Sequence, residues 1–279
     1  MKKVCVIGWP IRHSRSPLIH NYWIQKYGLN SVYEKLAVEP EKAAAFISSI
    51  PYSDYIGCNV TIPHKELAFK SVKSLDSNAK RLGAVNTVYI SNGVLSGTNT
   101  DGEGFLTNLK TQYPDFVVAN SKVLIIGAGG AAKAIIGALC DGGAAKIGIR
   151  NRTIGKTRDL MMQFGAALYP VENGYLGASL ADCDLLINTT SLGMENQPAL
   201  ELDMSRLNLR AIVADIVYTP MMTPLLEQAQ ARGNPTLGGL GMLLHQAVRG
   251  FELWFGVRPE VTRELHDLVA ADVMKAANT

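Results

Sequence analysis

Val123-Leu124-Ile125-Ile126 runs straight into Gly127-Ala128-Gly129-Gly130-Ala131-Ala132, and that junction constrains the fold of this 279-residue chain more than any other stretch. Four successive apolar residues read as a strand covered on both faces. The glycines demand a tight turn. The small and apolar residues that follow, as far as Cys140, read as a helix stopped by Gly142-Gly143. A buried strand leading at once into a helix is the first half of a βαβ unit. Further apolar runs at Ile147–Ile149, Asp184–Ile187 and Ile212–Ile216 continue the series, so this part of the chain predicts a parallel sheet flanked by helices.

The first third alternates in the same way. Val4–Ile7, Val32–Val38 and Tyr55–Val60 read as strands. Helices are expected from Ser16-Pro17 to about Tyr27, from Pro40 to about Ser49, and after Lys65. Val85–Ile90 and Val94–Ser96 flank Ser91-Asn92-Gly93, a strong hairpin signal. In the tail, Leu240, Leu243, Leu244, Ala247, Val248, Phe251, Trp254 and Phe255 recur with helical period. Gln246 falls about 60° outside that apolar arc at about 100° per residue, so it can flank a cleft while the arc packs. The fold expected is α/β with two domains and a cleft between them. Residues 1–105 form a mixed, mostly parallel substrate domain, 106–238 a Rossmann domain, and 239–279 helices packing back on the first.

Composition narrows the function classes. Hydrophobic residues make up 47% and charged residues 18%, which describes a globular protein rather than a disordered one. The net charge of +3 suits small anionic ligands, and the absence of basic runs argues against nucleic acid. Cys5, Cys58, Cys140 and Cys183 are widely separated and read as reduced, packed thiols. The histidines have no metal-ligand spacing, so no metal is expected. With no apolar run long enough to span a bilayer and none resembling a leader core, the expectation is a cytoplasmic protein without a membrane partner.

Two stretches carry chemistry. Gly127-x-Gly129-x-x-Ala132 follows a strand and opens a helix, the context in which this pattern cradles a pyrophosphate on free N–H groups. At the end of the next strand a dinucleotide site for NAD would place a carboxylate. Here stand Arg150-Asn151-Arg152-Thr153 and Lys156, which favour a 2′-phosphate and therefore NADP. In the first third, Pro63 ends a strand and leaves Asn59, Thr61 and Lys65 at its carboxyl end, where open α/β sheets bind ligands. Ser14 and Ser16, at the start of a helix, suit a carboxylate. Asn86 sits at a strand start and Asp101 in a glycine-bounded turn after the hairpin.

In order and spacing, these blocks closely resemble the shikimate dehydrogenases. The resemblance runs from Gly8-Trp9-Pro10-Ile11-Arg12-His13-Ser14-Arg15-Ser16-Pro17 through Asn59 to Lys65, Gly83 to Thr87, Asn99 to Gly102 and the glycine turn. It continues through Asn188-Thr189-Thr190-Ser191-Leu192-Gly193-Met194, Asp215-Ile216-Val217-Tyr218 and Gly239 to Gln246. It implies reversible reduction of 3-dehydroshikimate to shikimate with NADPH, on the route to chorismate and the aromatic amino acids. Ser14 and Ser16 would then hold the substrate carboxylate, while Asn59, Thr61, Asn86, Asp101 and Gln246 would read its hydroxyls and Tyr218 would close the pocket. Lys65 and Asp101 would carry the catalysis. The family pattern assigns the cofactor to Gly127, Ala128, Gly129, Gly130, Ala131, Asn151, Arg152, Thr153, Lys156, Thr189 and Ser191, with Ile216, Gly239 and Met242 on the nicotinamide side. The partner is thus a small molecule, bound by a monomer or homodimer. The neighbouring readings are a quinate/shikimate dehydrogenase using NAD(P) and a catalytically silent NADP-binding module.

The chemistry follows from the reaction itself. Hydride arriving at a ketone carbon builds negative charge on the oxygen, and Lys65 can meet it with a proton or a cation. Lys65→Ala is therefore expected to lower kcat by roughly 10²–10⁴-fold, the range for a lost general acid. Steady-state rates of the purified, folded variant check this, and near-normal turnover would refute the assignment.

Overall fold

The structure is a computed structural model and describes residues 1–277. Its contacts group Met1–Asp101 with Leu244–Val269 as one compact unit, and Gly102–Leu243 with the residues from Ala270 as a second.

The first unit opens with β1 (Lys2–Gly8), α1 (Ser16–Lys26), β2 (Ser31–Ala37), α2 (Pro40–Ser49), β3 (Tyr55–Val60) and α3 (Lys65–Ser71). It continues with β4 (Ser74–Leu75), α4 (Ser77–Leu82), β5 (Thr87–Ser91) and β6 (Val94–Thr98). The sheet order is β2-β1-β3-β5-β6-β4, parallel from β2 to β3 and antiparallel through the β5–β6 hairpin. It is mixed, as the pattern predicts. β5 begins at Thr87 rather than Val85, because the Val85 N–H donates to the Lys65 carbonyl (2.9 Å) instead of joining a ladder. One sheet face packs Cys5, Ile7, Cys58, Val60 and Val88 against Ala43, Ile47 and Ala68 of the helices. Cys5 and Cys58 are register partners on β1 and β3, and all four cysteines are free thiols.

In the second unit come α5 (Asp101–Gln112), β7 (Lys122–Ile126), α6 (Gly130–Asp141), β8 (Lys146–Arg150), α7 (Ile154–Phe164) and β9 (Leu168–Pro170). After them follow α8 (Leu176–Asp182), β10 (Leu185–Asn188), β11 (Ile212–Asp215), α9 (Pro224–Ala231) and β12 (Thr236–Leu237), while α10 (Gly239–Phe255) and α11 (Arg263–Ala277) each have residues in both units. Its six strands run in the order β12-β11-β10-β7-β8-β9, every neighbour parallel. This is the doubly wound order whose strand sequence reverses between β7 and β10. The continuous apolar run of β7 is explained by burial on both faces. Val123 and Ile125 pack with Ile135 and Leu139 of α6, while Leu124 packs with Leu180, Leu225 and Leu226.

From Leu244 onward α10 belongs to the first unit, where Trp254 packs over Gly57 of β3 and Gly250 lies near Thr87 of β5. The Trp254 indole N–H donates to the Val88 carbonyl (2.9 Å). Beside it, an aromatic cage encloses His20 of α1, with the imidazole stacked on Tyr33 at 4.2 Å and ringed by Trp23, Phe251 and Trp254. His20 is fully buried, and neither ring nitrogen has a hydrogen-bond partner among the described residues. Burial pushes its pKa down to about 3, against a small upward pull from Asn59.

The folded imidazole is therefore neutral, while the unfolded one protonates below about 6.5. Stability is complete above that pH and falls as pH drops towards 3, by up to roughly 1.4 kcal/mol per unit. His20→Phe keeps a ring in the stack and removes that slope. Urea midpoints between pH 7 and 4.5 should accordingly fall less steeply in the variant, and equal slopes would refute the account.

Candidate active site

Lys65 stands at the first position of α3, directly after the turn that ends β3. The turn is tied down by two backbone bonds, Thr61 N–H to the Ile7 carbonyl (2.9 Å) and His64 N–H to the Thr61 carbonyl (2.9 Å). His64 is buried, and its Nε2 lies 2.7 Å from the Val38 carbonyl. A carbonyl only accepts, so Nε2 carries the hydrogen. The lysine backbone is thus fixed on both sides while its side chain reaches Asp101.

The Lys65 ammonium donates to Asp101 Oδ2 at 2.5 Å. Asp101 is the first residue of α5, not the turn residue that Asp-Gly suggests. Its other oxygen accepts from the Asn86 amide at 2.8 Å, and its backbone N–H donates to Asn99 Oδ1 at 3.1 Å. Asn86 joins the parts. Its Nδ2 also donates to Thr100 Oγ1 (2.9 Å), and its Oδ1 accepts from the Thr87 hydroxyl (2.9 Å) and the Thr100 N–H (3.0 Å). Both donors and both lone pairs of that carboxamide are engaged. Thr100 in turn donates to the Gln246 carbonyl at 2.8 Å, which brings α10 to the same cluster.

Asn59 is equally engaged. Its Oδ1 accepts from the Tyr33 phenol (2.6 Å), and its Nδ2 donates to the Asn86 carbonyl (3.2 Å) and to Thr87 Oγ1 (3.0 Å). It is buried, whereas Thr61 and Lys65 are half-buried. At the start of α1, Ser16 is buried beside the Tyr33 phenol, and its N–H donates to Ser14 Oγ at 3.3 Å. Ser14, Ser16, Asn59, Thr61, Lys65, Asn86, Asp101 and Gln246 all lie in the first unit. Tyr218 lies in the second, half-buried in the turn after β11.

In the second unit Gly127 has φ +113°, a conformation that disfavours a side chain, and a Cβ there would meet Thr189 Oγ1 at 2.5 Å. Gly129 and Gly130 are exposed, with nothing within 4 Å of where a Cβ would stand. The turn therefore presents an open cradle at the N-terminus of the twelve-residue α6. Thr189 is buried, held by its hydroxyl to the Ile126 carbonyl (2.8 Å), and Ser191 is exposed beyond it. At the end of β8, Arg150 bonds Asn173 (2.7 Å) and the Asn151 amide bonds the Thr153 carbonyl (2.9 Å). That leaves Arg152, Thr153 and Lys156 exposed at the strand's carboxyl end. Among the described residues no cluster of histidine, cysteine and carboxylate could hold a metal ion, and no helix is long and apolar enough to cross a membrane.

Tyr33, Thr87 and Thr100 carry no sequence signal of their own. Thr100 lies inside Asn99-Thr100-Asp101-Gly102, where the local pattern points to Asp101. Tyr33 and Thr87 occupy strand positions that read as ordinary packing.

A lysine–carboxylate pair at the end of one mixed sheet, and a glycine cradle at the reversal of a parallel one, define an α/β dehydrogenase of the dinucleotide-binding class. Sequence comparison gives the particular family. Residues 6–88 match the shikimate dehydrogenase substrate-binding domain, 110–217 the shikimate/quinate 5-dehydrogenase domain, and 239–263 the shikimate 5′-dehydrogenase C-terminal domain. A shikimate dehydrogenase (NADP+) from Nitrobacter winogradskyi is 48% identical over 98% of this chain and 97% of its own. The crystal structure of shikimate 5-dehydrogenase from Thermus thermophilus with NADP(H) and shikimate is 31% identical with TM-score 0.86, covering 99% of this chain and 100% of that one. Quinate dehydrogenase from Corynebacterium glutamicum, in complex with NAD, is 28% identical with TM-score 0.89, over 97% of this chain and 99% of that one. The chain belongs to the shikimate dehydrogenase family.

The two glycines separate fold from binding. Gly127→Ala is expected to lower the thermal midpoint, because both its φ and Thr189 oppose a methyl. Gly129→Ala should melt like the wild type yet lose NADP+ affinity, since only a bound pyrophosphate would meet its methyl. Calorimetric titration and melting curves of both variants check this, and unchanged affinity in Gly129→Ala would refute the cradle.

Proposed function

We propose that this protein catalyses the reversible NADPH-dependent reduction of 3-dehydroshikimate to shikimate, with Lys65 and Asp101 as its catalytic pair. The reaction belongs to the shikimate pathway leading to chorismate and the aromatic amino acids, and the chain is an NADP-dependent oxidoreductase of that pathway. The observation that supports the catalytic assignment is the Lys65–Asp101 contact at the carboxyl end of β3.

NADPH, when bound, supplies the hydride. The protein's own residues do the rest. Lys65 meets the ketone oxygen as negative charge develops there and hands it a proton. Asp101 aims the ammonium with one oxygen and is itself held by Asn86 through the other. Each carboxylate oxygen keeps a lone pair for the substrate hydroxyl next to the ketone. Ser14 and Ser16 anchor the substrate carboxylate, and Thr61 and Gln246 bind its hydroxyls. Asn59 and Asn86 act chiefly by holding the cluster in place, since their amides already have protein partners. Gly127 to Ala131 cradle the pyrophosphate, Thr189 and Ser191 stand beside it, and Arg152, Thr153 and Lys156 take the 2′-phosphate. Asn151 shapes that turn. Ile216, Gly239 and Met242 line the nicotinamide, and Tyr218 covers the substrate. The four free thiols support a reducing, cytoplasmic setting. The protein would work there as a monomer or homodimer.

Quinate dehydrogenase shares this fold, so substrate and cofactor preference must be measured directly. Nicotinamide reduction is followed with shikimate and with quinate, each against NADP+ and NAD+. The shikimate and NADP+ pair should give the highest kcat/KM. Equal efficiency with quinate and NAD+ would overturn the proposal, and inactivity with all four pairs would leave only a silent binding module.

A further inference from the structure

β11 ends on a buried carboxylate that the proposed chemistry does not use. Asp215 ends β11, opposite its register partner Asn188 at the end of β10. The two side chains are 2% and 0% exposed. Asp215 Oδ1 accepts from Asn188 Nδ2 (3.0 Å) and from the Val217 N–H (3.0 Å), while Oδ2 accepts from the Thr223 hydroxyl (2.7 Å). All three donors are neutral. Burial raises the pKa of this carboxyl, and the three hydrogen bonds pull the other way. A buried charge held only by dipoles is costly where apolar packing would serve a purely structural purpose.

What these bonds organise is the pair of turns that follow β10 and β11, next to the strand reversal. On the β10 side, Asn188 Oδ1 accepts the N–H (3.0 Å) and hydroxyl (2.7 Å) of Thr190, and its Nδ2 donates to the Leu192 carbonyl (3.1 Å). Thr189 and Ser191 ride on that turn. On the β11 side, Asp215 sets the path of Ile216, Val217 and Tyr218 through the Val217 N–H, and Thr223 then caps α9. The Ile216 carbonyl lies where any side chain at Gly239 would have to stand, so the start of α10 is fitted against the same turn. Ile216 N–H donates to the Asn188 carbonyl at 3.1 Å, closing the connection.

We propose that Asp215 is a positioning residue for the nicotinamide half of the NADP site, clamping the turn of Ile216 and Tyr218 to the turn of Thr189 and Ser191 through Asn188 and Thr223. It deepens the NADP-dependent function proposed above and rests on it. The clamp acts by geometry, not by charge at the reacting carbon. An asparagine at this position would still accept from Asn188 and Val217 through its oxygen, and its NH2 would donate to Thr223 Oγ1. Alanine would release all three donors.

The test compares binding of NADP+ with binding of adenosine 2′,5′-bisphosphate, which carries the 2′-phosphate but no nicotinamide, together with kcat for shikimate oxidation by the full chain. In Asp215→Ala, NADP+ affinity should fall by about tenfold or more and kcat by roughly 10–100-fold, the effect of a misplaced reacting group, while affinity for the bisphosphate stays within about twofold. Asp215→Asn should restore all three quantities to within about threefold of the wild type, since it keeps all three partners, the contact to Thr223 with its direction reversed. If Asp215→Ala does not fold, Thr223→Val should show the same selective loss to a smaller degree and Thr223→Ser should not. Wild-type values in both Asp215→Ala and Thr223→Val, or equal losses of NADP+ and bisphosphate, would overturn the clamp. So would loss of kcat in Asp215→Asn with NADP+ affinity intact, which would make the charge itself responsible. A wild-type protein that binds neither ligand refutes the NADP reading instead.

Discussion

A lysine and an aspartate in contact away from bulk water are useful only if every remaining valence around them is satisfied, and the first unit is arranged to meet that condition. Lys65 and Asp101 retain 24% and 10% of their side-chain exposure, so their contact is partly desolvated. Breaking one side of such a pair leaves a charge without compensation. The carboxamide of Asn86 prevents this by holding Asp101 with one donor, Thr100 with the other, and taking two donors on its oxygen. Asn59 and Tyr33 extend the same network to β2. The mixed sheet supplies Tyr33 and Asn59 to this cluster, the hairpin Thr87, and the tail helix Gln246.

The second unit meets a different requirement. The turn between β7 and α6 is bare, with open space above Gly129 and Gly130, so a ligand could approach its backbone closely. What stands behind the cradle must then be rigid. Thr189 is pinned to the end of β7, and Asn188 and Asp215 link the ends of β10 and β11. Polar side chains buried at strand ends occur here in pairs whose donors and acceptors match, which is how low-dielectric sites tolerate them. His20 is the contrast. It is buried among aromatic rings without hydrogen bonds, and the protein accommodates it by keeping the ring neutral.

Legibility in the sequence followed physical range. Short-range signals were accurate. Asn92-Gly93 marked the hairpin, Val123–Ile126 a strand buried on two faces, and the period from Leu240 a helix that spans Gly239–Phe255. Signals set by partners far along the chain were weak or misleading. Val85 looked like strand but gives its N–H to Lys65, and Asp101 looked like a turn but opens α5. Short elements such as β4, α4 and β12 carry too few residues for a period to declare itself. Tyr33 and Thr87 on strands, and Thr100 in the connection after β6, carry hydroxyls that have no distinctive local pattern. Their function is decided by what lies across from them.

By itself, then, the sequence determined the α/β class, the glycine turn between β7 and α6 with a basic turn after β8, and the polar residue types available at the strand ends. Those properties depend on backbone conformation and side-chain chemistry within a few residues. Only the tertiary structure decided that Asn59 and Asn86 are engaged as supports, that Thr100 joins Asn86 to Gln246, and that Asp215 is buried among neutral donors. Hydrogen-bond valence is a property of three-dimensional neighbours, and Asn86 and Gln246 are separated by 160 positions along the chain. The strand-to-glycine junction could announce a dinucleotide turn, but the residues that hold such a turn still are supplied by strands far from it in sequence.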